Sequence, residues 1–347
     1  MKTTAAILVE QRKPLVIDEV EVPPLGFGQV LVDIKVSRIC GSQVGEIDGV
    51  KGPDRWLPHL LGHEGGGIVL EVGPEVRHVK PGDHVVLHWR PGRGIEARPP
   101  DYQWNGKKVN AGFVTTFNQM GVISENRLTV VPPDTDYEVR CLLADTLTTG
   151  FGTINNNANV KIGESIVVIG CGGIGLGVVL GAKLAGAYPV IAVDIHEHKL
   201  QVAAKYGASH WVNSTQEDFA EAVLRILNQV RPDVVVDGTG NPQVLEKAFA
   251  LASNTGRCIG IGVMAHDKKL SINTLPLHLG KVLRGSHGGE SLPADDIPRL
   301  VRMMRAGVFD PRGFVSHRVP LARVNDAIAQ MRSGEVIHAM IHFDKAL

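Results

Sequence analysis

The segment SIVVIGCGGIGLGVVLGAKLAG, residues 165–186, limits the folds open to this chain more than any other stretch. An apolar β-type run stops at Gly170 and a segment of helical period starts just beyond Gly172. Gly170, Gly172 and Gly175 therefore fall at GxGxxG spacing on a strand-to-helix turn. The first glycine permits a tight turn, the second lets backbone approach a pyrophosphate, and the third lets helix and strand pack closely. With Gly173 and Ile174 between them, these residues put free N–H groups at a helix start, where an anion is favoured. Asp194 ends the next apolar run, PVIAVD. A carboxylate there accepts hydrogen bonds from a ribose 2′-hydroxyl and repels a 2′-phosphate, so the spacing predicts a dinucleotide site that prefers NAD to NADP. The competing reading keeps the glycines for close packing in some other α/β domain.

From about residue 160, buried-looking β runs at 165–170, 189–194, 209–213, 233–238 and 257–263 alternate with helical segments near 174–186, 197–207, 216–230 and 242–253. That alternation predicts βαβ units around a parallel sheet. The first 150 residues differ: TTAAILVE, QVLVDIKVS, GGGIVLEVG, DHVVLHW, FVTTFNQMGVIS and RLTVVP are β segments cut by Gly and Pro. After about 288, SLPADDIPRLVRMMRAG and ARVNDAIAQMRSG predict two amphipathic helices before a closing AMIHF run. A length of 347 residues accommodates two domains. Lys plus Arg and Asp plus Glu are equal at 36 each, so no overall field draws the chain to nucleic acid or an anionic membrane. Four scattered cysteines, with no CxxC and no signal-like or spanning apolar run, point to reduced thiols in a cytoplasmic protein.

A second constellation lies in ICGSQVGE (39–46) and LGHEGGG (61–67). Cys40 offers a thiolate and His63 an imidazole, donors suited to Zn²⁺, with Glu64 adjacent as a further oxygen donor or orienting group. Without a third donor, a buried thiol and a loop histidine explain the same residues.

CGSQ and GHEGGG, followed by LTTGFGTINNNANVKIGESIVVIGCGGIGLGVVLGAKLAGA and VDIHEHKLQVAAKYGA, resemble the zinc-dependent medium-chain alcohol dehydrogenase superfamily. Over 148–208 the likeness is closest to its class III, glutathione-dependent formaldehyde dehydrogenase branch. The resemblance implies an α/β protein in which a GroES-like β-rich catalytic domain (1–146 and 289–347) accompanies a doubly wound Rossmann NAD-binding domain (147–288). It implies one catalytic zinc held by Cys40, His63 and Asp145, the last standing where a cysteine is usual and having Cys141 as its rival. It matches Glu64 to an acidic residue beside the metal, Ser42 to the hydroxyl that bonds the substrate alcohol, and Thr149 to a residue near the nicotinamide. It further implies a small alcohol or carbonyl substrate and a homodimer or homotetramer.

Three departures stand out. The histidine that ends a proton relay falls on Gly45, leaving water or Glu46. The late pyrophosphate-binding arginine falls on His338, either a weaker, pH-dependent cation in that role or a plain β-strand histidine. The lobe that usually carries four cysteines and a structural zinc reads HWRPGRGIEARPPDYQWNGKKVNAG (88–112) and has no cysteine, so no structural zinc is expected there. That insert interleaves Arg90, Arg93, Arg98, Lys107 and Lys108 with Trp89, Tyr102 and Trp104. A solvated loop or a subunit contact explains the same charges; the competing expectation makes Trp89, Arg90 and Arg93 contacts of a polar substrate, a polyol, cyclitol or sugar-type alcohol. The alternatives are a simple primary alcohol or hydroxymethylglutathione as substrate, a zinc-free medium-chain reductase, and a nucleotide-binding protein without turnover.

Overall fold

The computed structural model describes residues 1–343, so the last four positions of the expected 289–347 segment lie outside the described residues. The chain divides into two compact units, Met1–Asp145 with Leu292–Leu347, and Thr146–Ser291.

The second unit is a six-stranded, all-parallel sheet. Its order is His210–Asn213, Val190–Asp194, Ile166–Ile169, Val234–Asp237, Arg257–Gly260 and Val282–Gly285. The chain enters at Ile166–Ile169 and winds to one side, then returns beside its starting strand and winds to the other. The strand order thus reverses next to the glycine turn, where doubly wound sheets take their ligands. Val167, Ile191, Val193 and Val235 bury the sheet against Phe219, Val223, Leu245 and Phe249 of the helices. The helix expected over 216–230 is shorter, Phe219–Ile226. Asp218 caps its start by accepting from the N–H groups of Ala220 and Glu221, and Asn228 and Gln229 end it with positive φ. Val282–Gly285 is an edge strand, and Leu275 and Leu279 just before it are 60% and 66% exposed.

The first unit is built on two sheets. One runs His59–Leu60, Lys2–Leu8, Val16–Glu21, Tyr102–Trp104, Lys107–Val109. The other runs Leu128–Val130, His84–His88, Glu64–Val72, Gln29–Ile39, Ala339–His342, His317–Pro320, with Met120–Ser124 also on Gln29–Ile39. Ala339–His342 lies antiparallel to Gln29–Ile39, so residues 300 apart in sequence pair as Met340 with Arg38. The strand expected over 113–124 begins only at Met120. Its first half is irregular because Thr116 and Phe117 donate to Leu61 O while Phe117 O accepts from Ala6 N.

The cysteine-free insert is held by hydrogen bonds. Glu125 accepts from the backbone N–H groups of Arg77, His78 and Ile95 at 2.6–2.7 Å. Ser124 Oγ accepts from Ala97 N, and Arg127 pairs with Glu96 at 2.7 Å. The turn Ser124–Arg127 thereby binds residues 95–97, and the hairpin Tyr102–Lys107 joins the first sheet through Gln103.

Candidate metal centre and dinucleotide turn

Strand Gln29–Ile39 delivers Cys40 to the start of helix Gly41–Ile47, and strand Glu64–Val72 starts with Glu64 just after His63. The three glycines that follow explain how the remaining donor arrives. A side chain at Gly66 would collide with Arg140 and Tyr137 O, and one at Gly67 with Asp33 O. Without a side chain at Gly66, helix Tyr137–Ala144 lies directly on the strand, and Asp145, which caps the C-terminal end of that helix, reaches the donors.

Donor atoms of Cys40, His63, Glu64 and Asp145 all lie within 4.8 Å of one another. His63 Nε2 is 3.5 Å from Glu64 Oε1 and 3.6 Å from Asp145 Oδ2, while Cys40 Sγ is 4.0 Å from Asp145 Oδ2. A tetrahedral zinc with bonds of 2.0–2.3 Å needs donors roughly 3.3–3.8 Å apart; the two His63 distances lie in that range, and the Cys40–Asp145 distance is slightly longer. Cys40, Glu64 and Asp145 are three groups that can carry negative charge, gathered around His63 and the single guanidinium of Arg38, and burial raises the Glu64 pKa against the pull of Arg38. Burial opposes ionisation of Cys40, but Arg38 and His63 outweigh it and lower the thiol pKa. Burial likewise opposes protonation of His63, yet Asp145, Cys40 and Glu64 raise its pKa well above the ordinary value. The first direction reports the cations beside Cys40, Arg38 and His63, and the second the anionic groups around His63.

Each donor has a partner behind it. Arg38, fully buried, clasps Glu64 with Nε at 2.8 Å and Nη2 at 2.6 Å. Gln43 lies against His63 Nδ1 while its Oε1 accepts from Cys40 N, leaving Nε2 of His63 turned to the donors. Trp89 donates its indole N–H to Asp145 Oδ1 at 3.0 Å. Ser42 Oγ is buried and has no hydrogen-bond partner among the described residues. Cys141 is outside the group: its thiol donates to Val36 O at 3.1 Å, and burial holds its pKa well up. Gly45 packs near Val50 within helix Gly41–Ile47.

His338 requires a correction. Its ring is fully buried, stacked on Phe314 at 5.8 Å, with Nδ1 3.1 Å from Arg38 Nη1. Burial and the guanidinium hold its pKa well below the ordinary value, so it is a neutral interior ring and not a cation offered to a pyrophosphate. Arg93 pairs with Asp295 at 2.7 Å, and Arg90 stacks over Trp89 at 5.7 Å. Arg38 and Gln43 are functional neighbours that sequence reading missed. Arg38 carried a signal: Val30, Val32, Ile34 and Val36 precede it on one strand face, so a cation at the next inward position demanded a buried anion.

In the second unit, Gly170 has φ +88°, and a side chain at Gly175 would collide with Gly170 O. Gly172 caps helix Gly173–Leu184, and nothing lies within 4 Å of where its Cβ would stand. The turn is thus closed on the packing side and open above the helix N-terminus, a cradle for a diphosphate. Ile174 follows Gly173 in the first helical turn. Asp194 accepts from Cys171 N at 2.7 Å and His196 N at 2.9 Å, which fixes the carboxylate beside that turn. Thr149, buried in helix Thr146–Gly152, presents its carbonyl to Thr153 Oγ1.

An open doubly wound sheet with a glycine turn in one unit, and a Cys–His–carboxylate cluster in the other, define a zinc-binding dehydrogenase. Residues 26–133 match the alcohol dehydrogenase GroES-like domain and residues 173–306 the zinc-binding dehydrogenase family. The chain is 32% identical to an alcohol dehydrogenase class-3 of Cereibacter sphaeroides, covering 99% of this chain and all of that one. It is 31% identical to an S-(hydroxymethyl)glutathione dehydrogenase of Escherichia coli, with 99% and 100% covered. Among solved structures, an alcohol dehydrogenase zinc-binding domain protein from Burkholderia ambifaria superposes with a TM-score of 0.90 at 27% identity, over 99% of both chains. Benzyl alcohol dehydrogenase from Acinetobacter calcoaceticus gives 0.89 at 26%, over 99% and 100%. The chain belongs to the zinc-dependent medium-chain alcohol dehydrogenase superfamily. It is an alcohol dehydrogenase-type oxidoreductase with zinc and NAD as cofactors.

Proposed function

We propose that this enzyme oxidises the CH–OH group of a small alcohol, or reduces the matching carbonyl, at a metal held by Cys40, His63 and Asp145. The observation that carries the reading is the four-donor cluster with an unpartnered buried hydroxyl, Ser42, nearby in sequence to Cys40. Zinc would supply the Lewis acid and NAD the hydride acceptor. Ser42 would hydrogen-bond the substrate hydroxyl and receive its proton. Arg38 clasps Glu64 beside the metal, its guanidinium opposing the rise in pKa that burial and Asp145 impose, and Gln43 and Trp89 orient His63 and Asp145. With glycine at position 45, the proton leaves by water or by Glu46. Gly170, Gly172, Gly173, Ile174 and Gly175 would hold the pyrophosphate, Asp194 the ribose, and Thr149 would neighbour the nicotinamide.

For the substrate, the relatives named above favour hydroxymethylglutathione or a simple primary alcohol. A polyol, cyclitol or sugar-type alcohol rests on the cations of the insert, two of which have carboxylate partners within the unit: Arg93 with Asp295 and Lys108 with Asp101. The four cysteines are free among the described residues, in keeping with a cytoplasmic enzyme. The exposed leucines beside edge strand Val282–Gly285 favour a homo-oligomer. The test is NAD reduction across hydroxymethylglutathione, aliphatic and benzylic alcohols, polyols and cyclitols, with metal content measured for Cys40→Ala, His63→Ala and Asp145→Ala. Loss of zinc and turnover in each variant is expected; full zinc retention in all three overturns the metal assignment.

A further inference from the structure

We propose that Trp89 is a positioning residue that fixes Asp145 as a one-oxygen donor to the metal, so that indole and carboxylate work as a matched pair. The inference deepens the metal reading above and rests on it. Asp145 has divided its oxygens. Oδ1 accepts the Trp89 N–H at 3.0 Å, and Oδ2 faces His63 Nε2 at 3.6 Å, Arg38 Nη2 at 3.7 Å and Cys40 Sγ at 4.0 Å. A free carboxylate can bind a metal through both oxygens or swing about its Cα–Cβ bond. Occupying Oδ1 with a neutral donor leaves one oxygen for the ion and one orientation of the group.

The choice of partner follows from its chemistry. An indole N–H is a donor only, so it cannot ligate a cation or exchange roles with the carboxylate. It needs an oxygen acceptor, which a thiolate at position 145 replaces poorly. Trp89 is also rigidly placed. Its ring packs on the core of Val30, Val32, Val85 and Leu87 and stands edge-on to His63 with centroids 6.5 Å apart and planes at 80°. The backbone on either side is pinned by His88, fully buried, whose Nδ1 meets Arg90 O at 2.7 Å and whose Nε2 meets Thr129 Oγ1 at 2.9 Å. One ring thereby touches one proposed donor with its edge and orients another through its N–H.

The experiment compares Trp89→Phe, which keeps a ring and deletes the N–H, in the natural chain and in an Asp145→Cys background. Zinc affinity is read by competition with a chromophoric chelator, and coordination by the visible d–d bands of Co²⁺-substituted protein. In the natural chain Trp89→Phe should weaken zinc binding about 10–100-fold, the range for second-layer partners, and lower the Co²⁺ band intensity as the carboxylate adds its second oxygen. In the Asp145→Cys chain the same change should move affinity less than about threefold. Unchanged affinity and bands in the natural chain overturn the proposal, as does an equal loss in both backgrounds, which would mark Trp89 as packing alone. Full zinc retention by Asp145→Ala instead overturns the underlying ligand assignment. A second measurement needs no variant: with the four tryptophans labelled at the indole nitrogen, one N–H resonance must shift when zinc is added to metal-free protein. If none moves, the proposal fails.

Discussion

Single residues decide the chemistry of both units. Arg38 is the clearest case, since removing one member of a buried, bidentate ion pair leaves the other charge uncompensated. Arg38→Met should cost about 3–5 kcal/mol of stability, measured by urea unfolding of zinc-loaded protein, and a loss under about 1 kcal/mol would mean that Glu64 is neutral there. Asp194 sits fixed by two backbone N–H groups beside the glycine turn. Asp194→Gly should weaken NAD binding more than NADP binding, read from the two dissociation constants, and an unaltered ratio would remove the specificity assignment. Cys40, His63 and Glu64 were legible because thiol, imidazole and carboxylate fell in two short glycine-flanked motifs. Gln43 was not, because an amide three residues after a cysteine carries no signal until the fold turns it toward His63. His338 carried two readings, a pyrophosphate contact and a plain strand histidine, and its burial just before strand Ala339–His342, which pairs with Gln29–Ile39, favours the second.

At the scale of elements, period and capping carried most of the sheet strands, and local exceptions came from side chains that only the fold brings together. All five expected parallel strands are present within one to three residues of their ends. Val282–Gly285 was missed, since a four-residue edge strand with an exposed face has no buried run to betray it. Helix Tyr137–Ala144, which delivers Asp145, was also missed. Its residues are buried almost throughout, so no polar face marks a helical period. That helix is tied to the C-terminal strands by Glu138, which takes Arg318 at 2.6 and 2.7 Å and His342 at 2.8 Å. Burial raises the Glu138 pKa, but His342 and Arg318 outweigh it and bring it to about 2. The folded value lies below the unfolded one, so the stabilisation is present above about pH 4.5 and fades as pH falls toward 2. Allowing for solvent around Arg318, Glu138→Gln should remove about 1–2 kcal/mol at pH 7 and little near pH 2, measured by denaturation across that range. Glu125→Gln should cost about 2 kcal/mol and speed proteolytic cleavage near residues 92–98, because an amide cannot accept from three backbone N–H groups. Unaltered cleavage would show that the insert is held by other means.

For the whole molecule, the proposed metal donors fall in the unit Met1–Asp145 with Leu292–Leu347 and the glycine turn in the unit Thr146–Ser291. In hydrogen exchange, zinc should protect segments around 36–68 and 137–145, and NAD segments around 166–194; no protection of 137–145 by zinc, or of 166–194 by NAD, would contradict the assignment of that site. Light scattering should return a dimer or tetramer whose mass falls when Leu275 and Leu279 are replaced by lysine, and a monomeric natural chain would refute the edge-strand reading. The fold class was legible from length and β–helix alternation, whereas the completion of the first β unit by Ala339–His342 depends on long-range strand pairing that no local pattern encodes. The hydrogen-bonded, cysteine-free insert has a consequence for how the enzyme ages. A zinc lobe of four thiolates is a target for peroxide, and this chain has none at 88–112. Cys141, Cys171 and Cys258 are buried with raised pKa values, the last at about 12. Cys40 is the one of the four whose thiol pKa is lowered, which makes it the cysteine where peroxide chemistry would start; metal bound there would shield it, and a thiol reductant would reverse the sulfenic stage.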